Sequence, residues 1–227
     1  MVDPQFPARL LQLDEITRAE HYYICAGDVC FHLWEYVKGG RVQEYSTNQL
    51  ILNLQIPLSD RTQNVYRWRY KGQAIRYSAR ALSQVVPRDF FDHFTWVPVP
   101  PSAAKDSPLH DTRLIQILRA VHPPVPDVRE LVFQDVDHES KAKGFAPEAR
   151  AAEFRINEDV ANPAPTRIVL FDDVLTTGSH YKAMQMILSA RFPGVPIMGV
   201  FLARTIRPGE TAGFEIDLDA LLKKWTQ

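Results

Sequence analysis

Along residues 20–58 apolar and polar positions tend to alternate. "YYIC", a turn at Ala26–Gly27–Asp28, and "VCFHLWEY" read as a β-hairpin. The alternation puts Cys30, His32 and Trp34 on one face, and Phe31, Leu33 and Glu35 on the other. After a Gly-Gly turn at 39–40, "NQLILNLQIPL" reads as further β structure. Residues 1–60 are therefore expected to form a small N-terminal antiparallel β appendage.

The period changes beyond residue 60. From Gly72 a helix is expected, with Ile75, Ala79, Leu82 and Val86 at helical spacing and Pro87 as its stop. "FTWVPVPPSAAKDS" (94–107) reads as a buried strand running into a loop, and "HDTRLIQILRAV" (110–121) as a helix. "HPPVPDV" is a Pro-rich break. Residues 129–160 are charged and weakly patterned, and a mobile lid is expected around 130–150. "TRIVLF" reads as a strand, "DDVLTTGSH" as a turn, "YKAMQMILSAR" as a helix, "VPIMGVFLAR" as a buried strand and "DLDALLKKW" as a last helix. Strands alternating with helices imply an α/β domain over 61–227, a mostly parallel twisted sheet flanked by helices.

Composition changes this picture little. The 227 residues are 45% apolar and 23% charged with net charge −1, ordinary for a globular chain. Global charge calls for no polyanionic partner. No apolar run approaches the roughly 20 residues of a membrane helix. The first residues lack a signal-peptide core, so a cytoplasmic protein is expected. Two cysteines make no disulfide framework. Cys25 and Cys30 with His21 and His32 offer a zinc site as the competing reading, but the CxxxxC spacing differs from the common CxxC knuckle, and the hairpin is preferred. Between Arg61 and Arg80 six basic residues and no acidic one are interleaved with Tyr66, Trp68, Tyr70 and Tyr77. Such a pattern tracks single-stranded nucleic acid. An amphipathic strand over 66–71 running into a solvated helix face explains it equally, and that reading is favoured.

The stretch richest in chemistry is "IVLFDDVLTTGSH", residues 168–180. A buried strand delivers two carboxylates to its carboxyl end, where open α/β sheets bind ligands. Small and hydroxyl residues follow at a helix start near Ser179. Free N–H groups and the helix dipole favour a phosphate there. Carboxylates just before it accept hydrogen bonds from a diol or hold hydrated Mg²⁺. A sugar phosphate fits both halves; a plain capped turn is the alternative.

The same stretch resembles the phosphoribosyl-pyrophosphate (PRPP) signature of type I phosphoribosyltransferases: four apolar residues, two acidic residues and a small-residue loop. "WVPVPPS" (96–102), "YKGQA" (70–74), "EARAAEF" (148–154) and "VFLAR" (200–204) are similar, in order, to segments of ComF-like members. The resemblance implies a PRPP-dependent glycosyltransferase of the pentosyl-transfer class, with Mg²⁺ as cofactor. Asp172 and Asp173 would bind the ribose hydroxyls, directly or through Mg²⁺. Thr176, Thr177, Gly178, Ser179 and His180 would cradle the 5′-phosphate. The loop Pro101, Ser102, Ala103, Ala104, Lys105 and Asp106 would hold pyrophosphate, with Lys105 as its cation, and the lid would bring Lys141 or Lys143. The partners implied are PRPP, an acceptor nucleobase or amine, and a second copy in a homodimer.

The chain departs from these families in places. "KDSPLHDTRL" stands where ComF-like proteins carry an "RGFNQ"-type segment, and Thr176 stands where purine-salvage members place a basic Asp. His180 either titrates against bound phosphate or faces solvent; the latter is favoured. Three functions follow: an active phosphoribosyltransferase, a PRPP- or nucleotide-binding regulator without turnover, and a ComF-like accessory protein binding single-stranded nucleic acid.

Overall fold

The computed structural model describes residues 4–41, 44–121, 126–135 and 146–207. The N-terminal part holds β1 (Leu11–Gln12), α1 (Glu15–Arg18), β2 (Cys30–Val37), α2 (Ser46–Leu54) and α3 (Asp60–Gln63). Next come α4 (Val65–Val85), α5 (Arg88–His93), β3 (Thr95–Pro98), α6 (Arg113–Arg119), β4 (Asp127–Val128) and β5 (Val132–Gln134). The remainder holds α7 (Pro147–Glu153), β6 (Phe154–Ile156), a 3₁₀ turn at Glu158–Val160, β7 (Ile168–Leu175), α8 (Ser179–Arg191) and β8 (Ile197–Ile206).

Six strands form one sheet in the order β1-β2-β8-β7-β3-β4, and only β1 runs antiparallel to its neighbour. β5 and β6 make a separate antiparallel pair. This is an α/β fold with a mostly parallel central sheet flanked by helices. β7 is buried along nearly its whole length, as its run of Ile, Val, Leu and Phe requires of a strand covered on both faces. Helices α2, α4 and α6 pack together, and α8 packs on α7 and β8. From β3 the chain passes through α6 to β4 on one side; from β7 it passes through α8 to β8 on the other. The crevice between the carboxyl ends of β3 and β7 is thus a topological switch point, where ligands of such sheets bind.

The N-terminal region departs from the sequence pattern. No hairpin precedes β2. Residues 20–29 are turns, and the Tyr23 N–H donates to Thr177 C=O (2.9 Å) instead of to a neighbouring strand. β2 joins the main sheet, parallel to β8, and is buried on both faces. "NQLILNLQIPL" is mostly helix α2, because Leu50, Ile51 and Leu54 recur at helical pitch. Asn48 on α2 bonds both the Val37 N–H and its C=O, closing the end of β2.

The strand expected over residues 66–71 is also helical. Asn64 caps α4 by accepting from the Arg67 N–H, and Lys71, Ala74, Ile75, Ser78 and Leu82 make its inner face. The last helix expected from "DLDALLKKW" lies outside the described residues. So do positions 136–145, the middle of the expected lid, with Lys141 and Lys143. No described helix is long and apolar enough to cross a membrane.

Candidate functional site

A cleft of about 770 Å³ opens at the switch point. Asp172, Asp173, Thr176 and His180 from the β7–α8 segment line it together with Pro101 and Ser102 after β3. Sheet pairing accounts for the approach: Pro98 lies beside Phe171, and the Val99 N–H donates to Phe171 C=O (2.9 Å). The remaining wall includes Gln55, Leu58, Leu109, Asp111, Arg113, Gln134, Arg150 and Glu153.

The two carboxylates differ in state. Asp173 Oδ2 accepts from Arg113 Nη2 (2.8 Å), Arg113 Nε (3.2 Å) and Gln55 Nε2 (3.0 Å). Burial pushes its carboxyl up, but the guanidinium and the amide outweigh burial and hold it below the usual carboxylate range. Asp172 is pushed well above that range, first by burial and then by the charge of Asp173. The pair is thus asymmetric: burial and the neighbouring charge favour the protonated form of Asp172, while Arg113 and Gln55 favour the ionised form of Asp173. Arg113 is fixed from behind. Asp111 Oδ2 accepts from Arg113 Nη1 (3.0 Å) and from Lys71 Nζ (2.7 Å). Lys71 is fully buried and also donates to the carbonyls of Leu54 (2.6 Å) and Ile56 (2.9 Å). The inward lysine of the basic segment thereby ties the end of α2 to the cleft.

The phosphate half of the expected cradle is the turn into α8. Gly178 caps the helix at φ +83°, a left-handed conformation that favours glycine. A Cβ there would also meet Ile24 Cδ1 at 2.5 Å. Behind the turn, the His21 ring Nδ1 bonds Thr176 C=O, and Asp28 accepts from Lys182 Nζ (2.9 Å) and Gln185 Nε2 (3.1 Å) on α8. Residues 21–28 are thus the back wall of the turn. Deeper still, buried Arg204 on β8 donates to Glu20 (2.8 Å) and to Glu35 on β2 (2.7 Å).

His180 lines the cleft with its side chain 44% exposed, so it meets both the cleft and solvent. Its Nε2 accepts from Arg150 Nη1 (2.5 Å), and its Nδ1 lies 3.9 Å from Asp172 Oδ2. Burial, and then the Arg150 charge, bring its pKa down to about 4, so the ring is neutral at pH 7 with its proton on Nδ1.

The sequence-derived residues gather unevenly. Asp172, Asp173, Thr176, His180, Pro101 and Ser102 face one cleft, and Thr177, Gly178 and Ser179 form the turn beside it. Ala103 and Ala104 do not line the cleft. Lys105 and Asp106 are exposed, and Lys105 Nζ lies 5.7 Å from the centre of the Phe133 ring, outside the cleft wall. Among the described residues, the cations that line the cleft are Arg113 and Arg150. Sequence reasoning passed over both, although Arg113 lies within "KDSPLHDTRL" and Arg150 within "EARAAEF". No non-proline cis peptide occurs among the described residues.

The zinc reading gains nothing here. Cys25 is exposed while Cys30 is buried with its thiol pushed up, and among the described residues no three His, Cys, Asp or Glu side chains converge on a metal position. A divalent ion at the acidic pair would stand against the Arg113 charge, since three N–H donors already converge on Asp173 Oδ2. On α4, Arg67 pairs with Asp60 and Arg80 lies over Phe6; Arg69 and Arg76 are exposed, as are Tyr66 and Tyr70, and Arg61 is exposed on α3. No protein-family model matches the chain, and no curated protein matches it.

Proposed function

We propose that this chain is a type I phosphoribosyltransferase-like protein. It would bind PRPP and transfer its ribosyl 5-phosphate to a nucleobase or amine, releasing pyrophosphate. One observation carries the reading: the paired carboxylates, the helix-capping turn and the post-β3 loop meet in one cleft at the switch point. Each part suits a different part of that substrate.

The 5′-phosphate would sit at the α8 N-terminus, where backbone N–H groups of the first turn lack helical partners. The ribose hydroxyls would meet Asp172 and Asp173. The pyrophosphate would lie toward Pro101 and Ser102, within the field of Arg113 and Arg150. As the C1–oxygen bond breaks, the sugar gains positive charge, which the ionised Asp173 offsets. The N–H groups of α8 and the two arginines hold the phosphates in place while charge moves onto the leaving group. Mg²⁺, when it accompanies PRPP, neutralises charge on the departing pyrophosphate. Gln55, Leu58 and Leu109 on the cleft rim offer one amide and two apolar faces to a flat acceptor.

Calorimetric titration of PRPP with Mg²⁺ tests the reading. Binding near about 1 μM, lost in the Asp172→Asn/Asp173→Asn variant, is the expected result. Absence of binding by folded wild type sinks it. A second reading, a PRPP- or nucleotide-binding regulator without turnover, is favoured by the position of Lys105 outside the cleft wall. Pyrophosphate release with any of a panel of nucleobases and amines rejects that second reading.

A further inference from the structure

The acidic pair meets a cation from its own chain. Arg113 spans Asp173 and Asp111, and Lys71, buried behind Asp111, fixes the whole row. All three donors to Asp173 use Oδ2, leaving Oδ1 outside their grip. Asp172 Oδ1 accepts from the Asp173 N–H (2.8 Å), which sets the two carboxyls relative to one another. The Arg113 side chain is 18% exposed and lines the cleft, so its charge is felt where a ligand would sit. A divalent ion bridging the two carboxylates would have to displace the guanidinium or stand against its charge.

We propose that Arg113 is the built-in counter-cation of the diol pocket, so that Asp172 and Asp173 bind a ribosyl cis-diol without divalent metal. The proposal rests on the phosphoribosyl reading of the cleft and names Arg113 as a binding residue of it. Arg113 keeps Asp173 ionised and oriented while Oδ1 accepts from one hydroxyl. Asp172 takes the other. Mg²⁺ then belongs to the pyrophosphate of PRPP and not to the protein. A ligand with the diol and 5-phosphate alone needs no metal to bind.

Ribose 5-phosphate is the probe, since it has no pyrophosphate to chelate a metal. Its affinity, and that of PRPP, would be measured by calorimetry in EDTA and in Mg²⁺. The proteins compared are wild type, Arg113→Met and Arg113→Lys, each checked for folding by circular dichroism. Wild type is expected to bind ribose 5-phosphate in EDTA within about threefold of its affinity in Mg²⁺. Arg113→Met is expected to lose about tenfold or more in EDTA and to recover in Mg²⁺, while Arg113→Lys retains metal-free binding.

A loss of about tenfold by wild type in EDTA overturns the proposal, as does metal-free binding by Arg113→Met equal to wild type. The wild-type arms decide even if Arg113→Met does not fold. PRPP binding without ribose 5-phosphate binding also overturns it, and leaves the phosphoribosyl reading standing. Binding of neither ligand by folded wild type overturns both.

Discussion

Arg113 and Arg204 each lie between two carboxylates, one on the cleft side of the β7–α8 turn and the other behind it. The pairing is alike, but access differs. The Arg113 side chain is 18% exposed and faces the cleft; that of Arg204 is 1% exposed. A ligand can compete for the first and cannot reach the second. Ion pairs of the same composition therefore serve different ends. The front one sets the charge a ligand meets. The back one ties β8 to β2 and to the Glu20–Asp28 segment that supports the turn.

Several changes test this contrast. The largest effect is expected from Arg204→Met, which removes the buried guanidinium that joins Glu35 on β2 to Glu20. It should cost about 3 kcal/mol of stability in urea denaturation, whereas Arg113→Met should cost under about half of that and act chiefly on ligand affinity. Equal losses from the two would erase the distinction. Gly178→Ala joins front and back: the left-handed φ and the crowding of Ile24 should together cost about 2 kcal/mol and weaken phosphate binding as well. A thermal melt with and without ligand reads both effects.

Acid should loosen the back wall. His32 is brought down to about 3, first by burial and then by the Arg204 charge. The unfolded chain takes up the proton near pH 6.5 and the folded chain does not. Stability is therefore complete above pH 6.5 and is lost as pH falls toward 3. The slope is up to about 1.4 kcal/mol per pH unit for one such proton. His32→Gln should flatten the curve of unfolding free energy against pH over that window. The smallest effect is expected from Lys105→Ala, which should change PRPP affinity less than about threefold, against a larger loss in Arg150→Met. A tenfold loss in Lys105→Ala would return this lysine to the pyrophosphate.

From β3 onward, β3, α6, β7, α8 and β8 were legible, the strands because buried parallel strands are continuous apolar runs bounded by turn residues; β4, β5, α7 and β6, short elements in Pro-rich or charged sequence, were not. β7 and α8 are the clearest cases. Residues 20–71 were not, for physical reasons. In "NQLILNLQIPL" six apolar residues within eleven positions satisfy a period of two and of 3.6. Tertiary packing against β2 and α4 decided for the helix. The hairpin failed because the Tyr23 N–H has a partner more than a hundred residues away. The carboxylate pair and the turn were readable as one contiguous stretch. Arg113, Arg150, Gln55 and Lys71 were not, because each reaches the cleft from a different element and only the folded chain brings them together.

The pairing of β2 with β8 bears on the order of assembly. Glu35 and Arg204, joined across these strands, are 169 positions apart in the chain. Contacts of such long range close late, because the loop entropy is lost before they form. During synthesis β2 emerges early and waits with its partner edge open until residue 206 has left the ribosome. The ligand turn emerges before β8, and the Arg204 tie of its back wall to the sheet forms only then. A chain stopped at Val195 would carry every residue of the diol and phosphate positions and still lack the tie at Arg204 that holds the back wall to the sheet.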